Sequence, residues 1–74
     1  MITLEEATTA LKYGLRVEFG GSRNYVISGI IKRVKNGFVF YQLELSEICD
    51  KKEHNLSRDR IGHIVVAELR AVSL

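Results

Sequence analysis

The chain has no proline and no tryptophan, and only one cysteine and one methionine among its 74 residues. Without proline there is no rigid linker, and a chain this short holds one small domain that buries about 60% of its unfolded surface. A lone thiol, Cys49, closes no intramolecular disulfide and supplies no thiolate set for structural zinc, which favours a reducing compartment. No run approaches the roughly 20 apolar residues that span a bilayer. Residues 1–6 lack the basic start and apolar stretch of a signal peptide, so a cytoplasmic protein without a membrane partner is expected. Charge of one sign is also scarce. Eleven Lys and Arg against nine Asp and Glu leave a net charge of +2, short of the strong basic footprint of a dedicated nucleic-acid binder. What is present is the balance of an ordinary globular domain, 46% hydrophobic and 27% charged.

The opening residues predict a helix over 3–13. Thr3 followed by Glu6 is a capping box, in which hydroxyl and carboxylate satisfy orphan backbone donors reciprocally. Ile2 and Ala7 stand at staple positions on either side of it. Leu4, Ala7 and Leu11, widened by Thr8 and Ala10, make a narrow apolar stripe. Gly14 is the C-terminal cap, and Lys12 suits the negative end of the helix dipole. A helix this short is unstable alone in water and must pack on the rest.

After Gly14 the pattern turns to β-branched and aromatic runs punctuated by glycine, predicting strands over 15–19, 24–34, 38–45, 61–67 and 72–74. Gly20, Gly21 and Ser22 supply a turn with positive φ. Asn36-Gly37 is a strong signal for a hairpin with a type I′ turn. In 24–34, Tyr25, Ile27 and Ile31 fall on one parity and Val26, Ile30 and Val34 on the other. That strand is expected to change its buried face, with Gly29 permitting the bend, and a β-branched residue at Gly29 is expected to obstruct it. Residues 46–60 read as a polar loop, and 68–71 as a single turn before the last strand. With no second sheet or large helix layer to cover them, about five short strands are expected to curl on themselves. The fold class is therefore mainly β (α+β): a small SH3-like antiparallel barrel, with the N-terminal helix capping one open end.

One set of residues carries a likeness to known proteins: Glu5, Ala7, Ala10, Leu11, Lys12, Gly14 and Val17, then Tyr25, Ile27, Ile30, Ile31 and Arg33, Glu44 and Leu45, and Val66, Ala67, Leu69 and Val72. In this spacing the chain resembles small SH3-like-barrel proteins of low-GC Gram-positive bacteria and their phages, whose own functions are uncharacterised. The likeness covers most of the chain through helix, core and turn positions. It implies a fold and a phage-related origin, and transfers no functional motif.

The candidate sites are surface features. Between Glu18 and Glu44 there is no acidic residue. Arg23, Lys32, Arg33 and Lys35 lie there beside Tyr25, Phe38 and Phe40. Cations and aromatics on one sheet face hold single-stranded nucleic acid by phosphate contact and stacking. Lys32 and Arg33, being adjacent, point to opposite faces, and the plainer reading is a solvated hairpin whose lysines discourage aggregation. The loop 46–60 mixes signs; Lys51, Lys52, His54, Arg58 and Arg60 are its candidate protein contacts, because loops on rigid scaffolds often carry recognition.

Chemistry is poorly provided for. Cys49, Asp50, Glu53, His54 and His63 lack the paired short spacings of a zinc site, and Cys49 with His54 lacks an orienting third group. His63 reads as an outward-facing strand residue that needs a partner to act as a pH switch. The glycines at 20 and 21 precede a strand, whereas phosphate loops precede a helix. Asn55-Leu56-Ser57 matches a glycosylation acceptor that a cytoplasmic chain never presents to that machinery. No catalytic residue, cofactor or metal is therefore expected, and the chain reads as a non-catalytic module. Its expected contact is another protein, through hairpin, strand edge and the 46–60 loop. The alternative is nucleic acid bound by the basic hairpin 23–40. Self-association through an unprotected strand edge is a further expectation.

Overall fold

A computed structural model describes residues 1–48 and 62–74. Helix α1 spans Leu4–Tyr13, followed by strands β1 (Arg16–Phe19), β2 (Ser22–Lys35), β3 (Phe38–Glu47), β4 (Ile64–Glu68) and β5 (Val72–Ser73), with a 3-10 turn at Leu69–Ala71 before β5. Both ends of α1 are set by local chemistry. The Glu6 amide donates to Thr3 Oγ1 and the Thr3 amide to Glu6 Oε1, each at 3.0 Å, while Gly14 closes the helix in the left-handed conformation at φ 65°. Ile2 and Ala7 are both fully buried, as a hydrophobic staple requires.

The strands form one antiparallel sheet in the order β4-β3-β2-β1-β5. The expected SH3-like barrel does not form. Strands β4 and β5 are the two edges of an open sheet and share no ladder, because β5 is committed to β1 through Glu18 opposite Ser73 and Phe19 opposite Val72. The sheet is neither closed nor curled on itself. Closure is unnecessary because α1 and Ile2 suffice as a second layer. The inward residues of the helix are small, so Ala7 and Ala10 bring its backbone close to the sheet. Together with Ile2 they complete a core of Val17, Ile27, Leu43, Leu45, Ala67 and Val72. The helix thus covers one sheet face and does not plug a barrel end.

The mid-strand change of face in β2 takes the form of a β-bulge. Ile27 pairs with Leu45 but Gly29 pairs with Glu44, so Ser28 is the extra residue. Before the bulge Tyr25 and Ile27 lie on the side of the sheet that the helix covers; after it Ile30 does, and Lys32 and Val34 continue the same side beyond the core. Without this switch, Ile30 would leave the core side where Leu43 lies opposite it.

At the other end β4 stops at Glu68, opposite Gln42. Residues 32–41 therefore continue as a two-stranded ribbon with no third strand beside them among the described residues. Its tip is the expected turn, with Asn36 at φ 51° and Gly37 at φ 80°, the left-handed pair of a type I′ hairpin. At about 3.3 Å per residue, β2 is about 46 Å long, close to the 48 Å longest dimension of the molecule. The β2–β3 hairpin sets that dimension.

Candidate functional site: the projecting hairpin ribbon

Residues directly opposite in an antiparallel ladder share a face, so register decides what the ribbon presents. On the side continuous with the core, Lys32 faces Tyr41 and Val34 faces Val39. On the back, Arg33 faces Phe40 and Lys35 faces Phe38. Apolar side chains are exposed on both sides: Val34 at 64% and Val39 at 51% in front, Phe38 at 75% and Phe40 at 36% behind. The charge pattern is equally local. Arg23 pairs with Glu18 at 3.6 Å and Arg70 with Glu68 at 3.1 Å, whereas among the described residues no carboxylate pairs with Lys32, Arg33 or Lys35. The Nε–H of Arg33 donates to Gln42 Oε1 across the ladder, which steadies its stem on the back face.

The structure therefore divides the basic cluster expected from sequence. Arg33, Lys35, Phe38 and Phe40 come together on one face, and Lys32 lies on the other. Arg23 is ten residues from Arg33 along β2, about 30 Å at strand rise, and its guanidinium also donates to the carbonyl of Leu74. Tyr25 is half-buried and packs edge-on against Phe19, with ring centroids 5.5 Å apart, so it belongs to the margin of the core. Lys51, Lys52, His54, Arg58 and Arg60 lie outside the described residues, as do Cys49, Asp50 and Glu53. Parity within strands 24–34 and 38–45 does not reveal that Val34 and Val39 are exposed. The available signal was their nearness to Asn36-Gly37, beyond the reach of a short neighbouring strand.

A second cluster lies where β3 meets the approach to β4. The Glu47 amide donates to the His63 carbonyl at 2.9 Å. In return the His63 amide donates to Glu47 Oε1 at 3.2 Å, and the imidazole Nδ1 lies 2.9 Å from the same oxygen. The backbone N–H of His63, and then its imidazole, hold the Glu47 carboxyl below the usual glutamate range against the opposing effect of desolvation. This is the partner that His63 lacked in the sequence. On the back of the sheet, Ser28 Oγ donates to Glu44 Oε1 at 2.8 Å and Ser46 Oγ to Ser28 Oγ at 3.0 Å, a network that satisfies the polar groups around the bulge.

Among the described residues no three His, Cys, Asp or Glu side chains gather as a metal site, and no helix is long and apolar enough to cross a membrane. No protein-family model matches the chain, and no curated protein or solved structure is significantly similar to it.

Proposed function

We propose that this protein is a small non-catalytic binding module that presents the β2–β3 ribbon to another protein. The observation that carries the reading is exposure of apolar side chains on both faces of a two-stranded ribbon, Val34 and Val39 in front and Phe38 and Phe40 behind. A ribbon apolar on both sides loses the most water-exposed hydrocarbon when a partner encloses it, and apolar burial is the dominant favourable contribution to most protein association. The core sits beyond Leu43 and does not depend on these four residues, so the ribbon is available for contact without loosening the fold.

The test is co-purification after nuclease treatment, comparing wild type with a front-face variant (Val34→Ser with Val39→Ser) and a back-face variant (Phe38→Ser with Phe40→Ser). A partner recovered near equal stoichiometry by wild type and lost with either variant is the expected result. Undiminished recovery by both variants would remove the ribbon from the interface.

One observation favours a second reading, nucleic acid on the back face alone. There each of two cations sits opposite an aromatic ring, the combination that holds single strands by charge and stacking. With only Arg33 and Lys35 available on that face, the slope of log K against log salt on a single strand would be about −1.4. On this reading the front-face variant binds as wild type does.

A further inference from the structure

Resting on the protein-binding reading above, we infer that the segment the ribbon takes is acidic, a protein segment in which carboxylates accompany apolar side chains. Three observations point to that chemistry. Residues 19–43 contain no acid. The cations of this stretch that lie on the ribbon are Lys32 in front and Arg33 and Lys35 behind, and none has a carboxylate partner among the described residues, although Arg23 near the start of β2 and Arg70 in the 3-10 turn do. Each ribbon cation also stands beside exposed hydrocarbon, since Arg33 faces Phe40, Lys35 faces Phe38, and Lys32 is two residues from Val34 on the same face.

Unpaired cations flanking an exposed apolar strip complement a surface that is apolar at its centre and acidic at its rim. This is the arrangement by which charge steers encounter and apolar contact holds the complex. The contact to Gln42 orients Arg33 through Nε, leaving its two terminal nitrogens to face a carboxylate as a fork. A carboxylate-bearing segment fits better than a phosphate strand because cations and apolar residues occur on both faces. A single strand stacked on Phe38 and Phe40 would leave Lys32, Val34 and Val39 unused.

The inference is tested by selecting a displayed random-peptide library against the intact protein. A synthetic peptide from the enriched set and a labelled oligothymidylate are then titrated by fluorescence anisotropy. Enrichment of peptides carrying both Asp or Glu and apolar residues is expected. Their affinity should fall at least about tenfold in the charge-reversal variant Arg33→Glu with Lys35→Glu, and again in the front-face variant Val34→Ser with Val39→Ser. Circular dichroism verifies that each variant keeps the wild-type fold, which is expected because all four positions are exposed.

Enrichment of neutral or basic peptides, or binding indifferent to charge reversal, overturns the acidic assignment and leaves the protein-binding reading standing. Failure to enrich any peptide while oligothymidylate binds overturns both. Failure to bind either probe overturns the acidic-segment inference, and the co-purification experiment then decides the broader reading.

Discussion

Gly62 is a residue whose role is invisible without its neighbour. A Cβ built there would lie 2.5 Å from the Glu47 carbonyl oxygen and 2.9 Å from the Glu47 Cβ, so backbone must move to admit even a methyl group. Gly62→Ala should cost about 1–3 kcal/mol, the usual penalty of overpacking, measured by urea unfolding. At Gly29 a Cβ would meet Glu44 Oε1 at 3.4 Å, an ordinary contact, and no positive φ requires glycine there. The bulge therefore does not exclude a small side chain, and Gly29→Ala should stay within about 1 kcal/mol of wild type. Equal losses in the two variants would contradict this reading of the close approach at Gly62. The Glu47 carboxylate that receives His63 carries the pH dependence of the same corner. Its pKa is depressed in the folded state by the His63 amide and imidazole. Its contribution is thus complete above the ordinary glutamate pKa and is lost as pH falls through the depressed folded value. Unfolding free energies of wild type and Glu47→Gln should converge as the solution is acidified from neutrality to about pH 3, below the usual glutamate range. Curves that stay parallel over that interval would remove Glu47 from the acid limb.

Among the elements, the ribbon and the sheet that supports it differ in what holds them. In its lower part β3 lies between β2 and β4 and buries Leu43 and Leu45 under α1. Above Tyr41 its neighbour among the described residues is β2 alone, with every residue of 38–40 exposed. An isolated two-stranded hairpin is marginal in water; the type I′ turn and the Arg33–Gln42 hydrogen bond across the ladder are what steady this one. Amide exchange measured by NMR should therefore be about tenfold or more faster at hydrogen-bonded positions in 33–40 than at Leu43 and Leu45. Val39→Ala should change stability by no more than about 0.5 kcal/mol, whereas Leu43→Ala should cost about 2–5 kcal/mol. Uniform protection along the whole hairpin would mean that the ribbon shares the cooperativity of the core.

For the whole molecule, the open sheet has a direct consequence. One face is sealed by α1 and Ile2; the other carries exposed Ile64, Val66, Phe38 and Phe40 on its strands with no layer over them among the described residues. A closed barrel would have placed its aromatic and basic residues around a compact wall. The open arrangement sends β2 and β3 past their neighbours and separates a core-bearing half from a projecting half. Among the described residues, the nine buried hydrophobic residues of the core include none from 28–42. The proposed binding residues and the stabilising residues are thus drawn from different stretches of the same two strands, which is why the ribbon variants are expected to change binding without unfolding the protein.

The sequence by itself determined what is encoded over a few residues. The capping box at Thr3 and Glu6, the left-handed Gly14, the Asn36-Gly37 turn and the parity change around Gly29 are all present, because each depends on hydrogen bonds or backbone freedom within its own segment. Only the tertiary structure decided what depends on partners remote in the chain. The pairing of β5 with β1 left the sheet open, the packing of Phe19 on Tyr25 removed that tyrosine from the basic surface, and the meeting of Gly62 and His63 with Glu47 built a corner that no local pattern announces. The expectation of a barrel failed on a question of sufficiency. Periodicity shows that an apolar face must be covered, but how closely an alanine-faced helix approaches the sheet, and therefore whether one helix is cover enough, is settled only when the two pack.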